Sequence, residues 1–157
     1  MSRKYYIAYG SNLNISQMAV RCPEAFVYGI AEIKDYELLF KGSRTGAYLT
    51  IEKRKGSTVP VAVWEVGKTD DKRLDRYEGY PAFYYKKEMR INVQTDCGVR
   101  EVGAFVYIMH EERELGIPSR QYIRTCLEGY DDFGFDAHFL GDALLRSGGK
   151  EHEENRD

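Results

Sequence analysis

The stretch Val59-Pro60-Val61-Ala62-Val63-Trp64-Glu65-Val66 decides the fold class. Its β-branched residues and tryptophan suit a pleated, largely buried strand. Pro60 cannot donate to a ladder and belongs near an edge or a strand start. Similar runs surround it. Lys4 to Tyr9, Ala25 to Ile33, Tyr36 to Lys41 and Ala47 to Glu52 are rich in β-formers, with Lys34 and Asp35 between the second and third. Tyr85, Lys87, Met89, Ile91 and Val93 share one strand face, and Val102, Ala104, Val106 and Ile108 share another. Thr95 to Gly98 between them predicts a hairpin turn. The basic run Lys53-Arg54-Lys55-Gly56 reads as a solvated hairpin tip.

Helices are fewer. Asn14 to Val20 predicts a short one. Thr69 or Asp70 can cap a helix that runs to Glu78 and ends at Gly79. Ser119 can cap another, with Tyr122, Ile123, Cys126, Leu127 and Tyr130 on one stripe. Asp136 opens a last helix with Phe139, Leu140, Ala143 and Leu144 inward. Strands come in runs without βαβ alternation, so the class is α+β, with a closed or strongly curved sheet and helices at its margin.

The chain has 157 residues, 43% of them hydrophobic, which predicts one domain over 1–147. Residues 148–157 are dense in Glu and read as a polar, flexible tail. The formal net charge of −2 offers no global field for nucleic acid or an anionic membrane. No apolar stretch approaches transmembrane length, and the run after Arg3 and Lys4 is too short for a signal peptide. Cys22, Cys97 and Cys126 are widely spaced, so a disulfide framework or zinc site is not expected and a reducing cytoplasm fits. His110 reads as surface, and His138 as a packing or capping residue.

Two segments carry chemistry. Tyr9-Gly10-Ser11-Asn12-Leu13-Asn14 ends the first strand, where freed amides can cradle a carboxylate or oxyanion. An ordinary turn uses the same residue types. In Leu74-Asp75-Arg76-Tyr77-Glu78-Gly79-Tyr80-Pro81, Glu78 lies four positions after Leu74 and shares its inward face, while Asp75 and Arg76 face water. Desolvation and the helix C-terminus both raise the pKa of an inward Glu78, toward the range of a general base near neutral pH. Tyr77, Tyr80, Phe83, Tyr84 and Tyr85 can wall such a site. A structural hydrogen bond or surface pair is the other use of Glu78.

Together, Tyr-Gly-Ser-Asn-Leu at a strand end and Leu-Asp-x-x-Glu-Gly with a tyrosine shortly after resemble the γ-glutamylcyclotransferase-like family. That family includes plant AIG-two-like proteins and the γ-glutamyl-removing enzyme of butirosin biosynthesis. The resemblance spans Lys4 to Tyr130 and implies a small mixed β-barrel of about six strands with flanking helices. It implies that Tyr9, Gly10, Ser11, Asn12 and Leu13 bind the γ-glutamyl group, that Glu78 is catalytic, and that Tyr122 of Pro118-Ser119-Arg120-Gln121-Tyr122 lines the site. The tyrosine after the glutamate is either Tyr84 or Tyr85. The glutathione-specific branch usually has Leu directly after the Ser; Asn12 stands there and points away from that branch.

The implied reaction releases 5-oxoproline and a free amine or amino acid from a small-molecule γ-glutamyl substrate. Ring closure makes proximity cheap, so a base and oxyanion donors suffice, with no metal or other cofactor. The leaving group would be selected by Lys41 to Thr50 and by residues after Tyr130. A non-catalytic binding or interaction domain of the same fold is the alternative. The many tyrosines suit a homodimer interface as well as a core or a pocket.

Overall fold

The computed structural model describes residues 3–43 and 46–149. Most of the expected tail, and Arg44 and Thr45, lie outside the described residues. Strand β1 (Lys4–Ala8) leads through a 3-10 turn (Ser11–Leu13) to α1 (Ile15–Arg21). Strands β2 (Phe26–Gly42) and β3 (Tyr48–Val66) follow, then α2 (Lys68–Glu78), β4 (Tyr84–Thr95) and β5 (Gly98–Met109). A short β6 (Glu114–Leu115), α3 (Arg120–Phe133), α4 (His138–Leu144) and a π-helical turn (Leu145–Gly149) complete the described residues.

The sheet closes in the order β3-β1-β5-β4-β2, with β2 returning to β3 and β6 added at the far end of β2. All pairings are antiparallel except β1 with β5, where Tyr6 meets Phe105 and Ile7 meets Val106. This is the mixed barrel with flanking helices that the sequence implied. Closure between β2 and β4 rests on the pair Ile30 and Gln94. Gly29 makes it possible: a Cβ there would stand 2.2 Å from the Gln94 carbonyl oxygen. The adjacent shift in register between Val27 and Gly29 turns β2 toward β4.

Val59 to Val66 is buried at nearly every position, because one face fills the barrel and helices cover the other. Trp64, for example, meets Phe133 of α3 edge to face with ring centres 6.4 Å apart. Pro60 lies inside the ladder opposite Glu32, beside the β3 irregularity rather than at a strand end.

Several local expectations change. Lys34-Asp35 does not separate two strands. Asp35 adopts φ 64° as a bulge within β2, and its Oδ1 accepts the Gly56 amide at 2.9 Å. Lys53 to Gly56 is solvated but is no hairpin tip; it belongs to β3, where Arg54–Ser57 buckle outward opposite Asp35. Neither Thr69 nor Asp70 caps α2. Gly67 holds that position without a side-chain bond, and Asp70 is fully buried inside the helix. Leu127 is largely exposed, since the inner side of α3 is taken by Cys126, Gly129 and Tyr130. Asp136 does precede α4, its Oδ1 accepting the His138 amide, and Phe139 and Leu140 turn inward. Asn14 and Ser119 cap α1 and α3 through the amides of Gln17 and Tyr122, each at 3.1 Å. The hairpin at Thr95 to Gly98 forms as read. Cys22 and Cys126 are buried and free, and Cys97 is exposed and free at that hairpin. Among the described residues, no helix is long and apolar enough to cross a membrane.

Candidate active site

The turn after β1 carries the first half of the site. Leu13 and Asn14 donate their amides back to the Gly10 and Ser11 carbonyls, each at 3.0 Å. The Ser11 and Asn12 amides, in the first positions of this 3-10 turn, have no acceptor within it. A Cβ on Gly10 would stand 3.3 Å from both Leu49 Cδ1 and the Tyr122 hydroxyl, so glycine lets the backbone pass close to the opposite wall. Asn12 is buried. Its Nδ2 donates to the Tyr6 hydroxyl at 2.9 Å, and its Oδ1 accepts from Arg21 of α1.

Helix α2 carries the second half. Leu74 is wholly buried, and Glu78 follows on the same face. Gly79 ends the helix with φ 65°, its amide and that of Tyr80 bonding back to the Arg76 and Asp75 carbonyls. Asp75 does not face water. It pairs with Lys86 of β4 at 2.8 Å and accepts the Tyr107 hydroxyl of β5 at 2.7 Å. Lys86 also reaches Asp71 at 3.1 Å, so one lysine pins two turns of α2 to the barrel.

Between these halves lies a cavity of about 430 Å³, a size suited to a small polar metabolite. Tyr9, Gly10, Ser11, Asn12, Glu78, Tyr84 and Tyr122 all line it. Its deep part is made by buried tyrosines, and its rim by Tyr48, Arg76 and Tyr77, which keep exposed surface. Burial pushes the Glu78 carboxyl up to about 7, and the nearby Arg21 guanidinium draws it partly back. Among the described residues no cation lies within ion-pair distance of Glu78. Arg21 sits over the Tyr77 ring at 3.8 Å while holding Asn12, so it ties the turn to α2. Burial also raises the phenols of Tyr9, Tyr84 and Tyr122 well above their ordinary range, which keeps them neutral.

The adjacent tyrosines separate cleanly. Tyr84 lines the cavity and donates to the Leu49 carbonyl at 2.8 Å, while Tyr85 turns to the other face and donates to Glu111. Leu13 does not line the cavity either; it is wholly buried beneath α3 and anchors the turn.

The match to known proteins follows the same elements. A family described as "Gamma-glutamyl cyclotransferase, AIG2-like" matches residues 6–124, from β1 through the start of α3. The chain belongs to this family. Among its relatives, the γ-glutamylcyclotransferases of Bos taurus and Homo sapiens are each 30% identical over 141 residues, covering 85% of this chain and 73% of theirs. A solved γ-glutamyl cyclotransferase superposes with a TM-score of 0.75 at 27% identity, covering 90% of this chain and 86% of that one. An AIG2-like protein of Mus musculus shares the fold alone, with a TM-score of 0.57 at 18% identity, covering 78% of this chain and 84% of that one.

Within this γ-glutamyl cyclotransferase fold, the sequence reading left out several wall residues. Tyr6, Ile7 and Tyr107 line the cavity, and Arg21 stands behind it. Tyr77 and Phe83 line it as expected, whereas Tyr80 stands aside against Tyr107. From the Lys41 to Thr50 segment, Tyr48 and Leu49 reach the cavity, while Lys41 pairs with Glu52 elsewhere. No described residue after Tyr130 reaches it; α4 and the turn after it pack on β2, where Ser147 Oγ accepts the Phe40 amide and Arg146 donates to the Leu38 carbonyl.

Proposed function

We propose that the protein converts a γ-glutamyl amine or γ-glutamyl amino acid to 5-oxoproline and the free amine, with Glu78 as general acid and base. The observation that carries this reading is that Glu78, whose carboxyl burial pushes up to about 7, lines one cavity with the Gly10–Asn12 turn in a member of this family. The substrate arrives as an α-ammonium, which cannot attack. Glu78 takes one proton from it, and the α-nitrogen adds to the γ-carbonyl carbon to form the five-membered ring. The Ser11 and Asn12 amides meet the charge that develops on the γ-carbonyl oxygen. As the amide C–N bond breaks, Glu78 gives that proton to the leaving nitrogen and takes the second one from the ring nitrogen; the freed amine then carries it off as an ammonium, which restores the carboxylate. A carboxyl near 7 serves both transfers, since neither protonation state is costly at neutral pH. The free cysteines fit a reducing compartment, and we place the activity in the cytoplasm.

Incubation with a panel of γ-glutamyl amino acids and amines, followed by mass spectrometry for 5-oxoproline, tests the reading. Product that disappears in Glu78→Gln is expected. A folded protein that yields none with any member would transfer the case to a binding domain of the same fold.

A further inference from the structure

The seam between β2 and β4 parts as soon as it has closed. From Val93 back to Tyr84, β4 is in register with β5 alone. On the β4 side of β2, the next paired residue after Ile30 is Lys41, opposite β6. Ser147 and Arg146 fill the far end of that gap through Phe40 and Leu38. From Ala31 to Tyr36, no described strand pairs with β2 on that side. A cleft of about 980 Å³ lies there, and no residue lines both it and the candidate active site. Every residue from Ile30 to Lys34 and from Met89 to Asn92 lines it. Successive side chains on a strand point to opposite faces, so consecutive residues share a cleft through the strand edge. A strand paired antiparallel on one side sends every second N–H and C=O to the other. The cleft is thus walled by two free edges of one sheet.

Its charge is unbalanced. Lys53 belongs to β3, on the far side of β2, and lines the cleft by passing its side chain over the β2 face of its register partner Tyr36. Lys87 shares a face with Met89 and Ile91. Arg90 is paired with Glu101, and Asp136 with His138. That leaves Lys34, Lys53 and Lys87 against Glu32, none of the four within ion-pair distance of an opposite charge among the described residues.

We infer that this cleft takes an extended acidic segment of a partner protein, added as a strand between β2 and β4. Main-chain hydrogen bonds to both edges supply the affinity, and the lysines select carboxylates. At about 3.3 Å per residue, the open edge from Ala31 to Tyr36 seats about five residues. A second copy docked cleft to cleft about a two-fold axis sets the same three lysines against each other, so like charge opposes it.

The probe is a fluorescent peptide of about seven residues that alternates Glu with Val, followed by anisotropy and hydrogen exchange. It should bind the wild type and slow exchange at amides of Ala31–Lys34 and Met89–Asn92. Methylating alternate peptide nitrogens should weaken it by at least about tenfold, as should Lys53→Glu combined with Lys87→Glu. If that double variant does not fold, the methylated peptide on wild-type protein still decides. No binding up to about 1 mM peptide overturns the inference. Affinity that methylation leaves unchanged, or an oligothymidylate of equal charge that binds as tightly, also overturns it, since charge alone would then act. Sedimentation that finds a dimer with those amides already protected would give the cleft to a second copy and overturn it as well.

Discussion

Gly129 of α3 lies against the Leu13 backbone, so that a Cβ on it would stand 2.8 Å from the Leu13 carbonyl carbon and 2.7 Å from the Asn14 nitrogen. The helix is thereby seated on the turn that faces Glu78. Asn14 strengthens the seat, donating to the Thr125 carbonyl and to Glu128, each at 3.0 Å. Gly129→Ala therefore sets two effects against each other. Helix propensity favours alanine by about 1 kcal/mol. Overpacking against backbone that has no rotamer to move costs about 1–3 kcal/mol. The clash should win. A lowered Tm together with a raised KM for γ-glutamyl substrates is expected, and a raised Tm would show that the turn yields freely.

Glu78→Gln should abolish turnover and stabilise the fold in a pH-dependent way. The folded carboxyl titrates near 7, above its ordinary 4.5, so the native state holds its proton more tightly than the unfolded chain. Native stability of the wild type thus falls as pH rises between those values and stays low above them. The variant lacks this loss. It should exceed wild type at pH 8 by at most about 3 kcal/mol and match it near pH 4. Urea unfolding at both pH values checks this, and a pH-independent difference would contradict burial as the cause.

The rate should follow the same carboxylate. kcat/KM for a γ-glutamyl amino acid should rise with pH through a midpoint near 7. Arg21 draws that carboxyl downward, so Arg21→Gln should move the midpoint to higher pH. The same change frees Asn12 and Tyr77, so the plateau rate should also drop. An unmoved midpoint with a lowered plateau would assign Arg21 to positioning alone.

Tyr84 and Tyr85 should respond differently to loss of a hydroxyl. Tyr84 donates to the Leu49 carbonyl, while the Leu49 amide donates to Tyr122 at 3.1 Å, so two phenols hold one buried peptide unit in the cavity wall. Tyr84→Phe strands that carbonyl and should cost about 1–3 kcal/mol with reduced activity. Tyr85→Phe removes a more exposed bond to Glu111 and should cost less than about 1 kcal/mol with activity kept. Thermal melts and initial rates of the pair decide it.

Barrel closure at Gly29 should tolerate no side chain. With the Gln94 carbonyl oxygen 2.2 Å from a would-be Cβ, Gly29→Ala must part β2 from β4. Destabilisation of about 3 kcal/mol or more is expected, and a native-like urea midpoint would refute the close approach.

What the sequence determined by itself was local. The buried run at Val59–Val66, the cap at Ser119, the glycine stop at Gly79 and the i, i+4 relation of Leu74 to Glu78 all follow from periodicity and backbone stereochemistry. Those placed the glutamate on an inward face and the Gly10 turn at a strand end. Tertiary structure decided everything that needed two distant segments. Lys34-Asp35 and Lys53–Gly56 both look like turns, and only their facing each other across β2 and β3 makes them one paired irregularity. Tyr84 and Tyr85 are equivalent in sequence until α2 docks on one face of β4 through Lys86 and Asp75. Arg21 and Tyr107 carry no local signal, because each acts on a partner brought near by chain closure: Arg21 on Tyr77, and Tyr107 on Asp75. Side-chain period is written in neighbours along the chain, whereas desolvation and partner choice depend on what the fold places opposite.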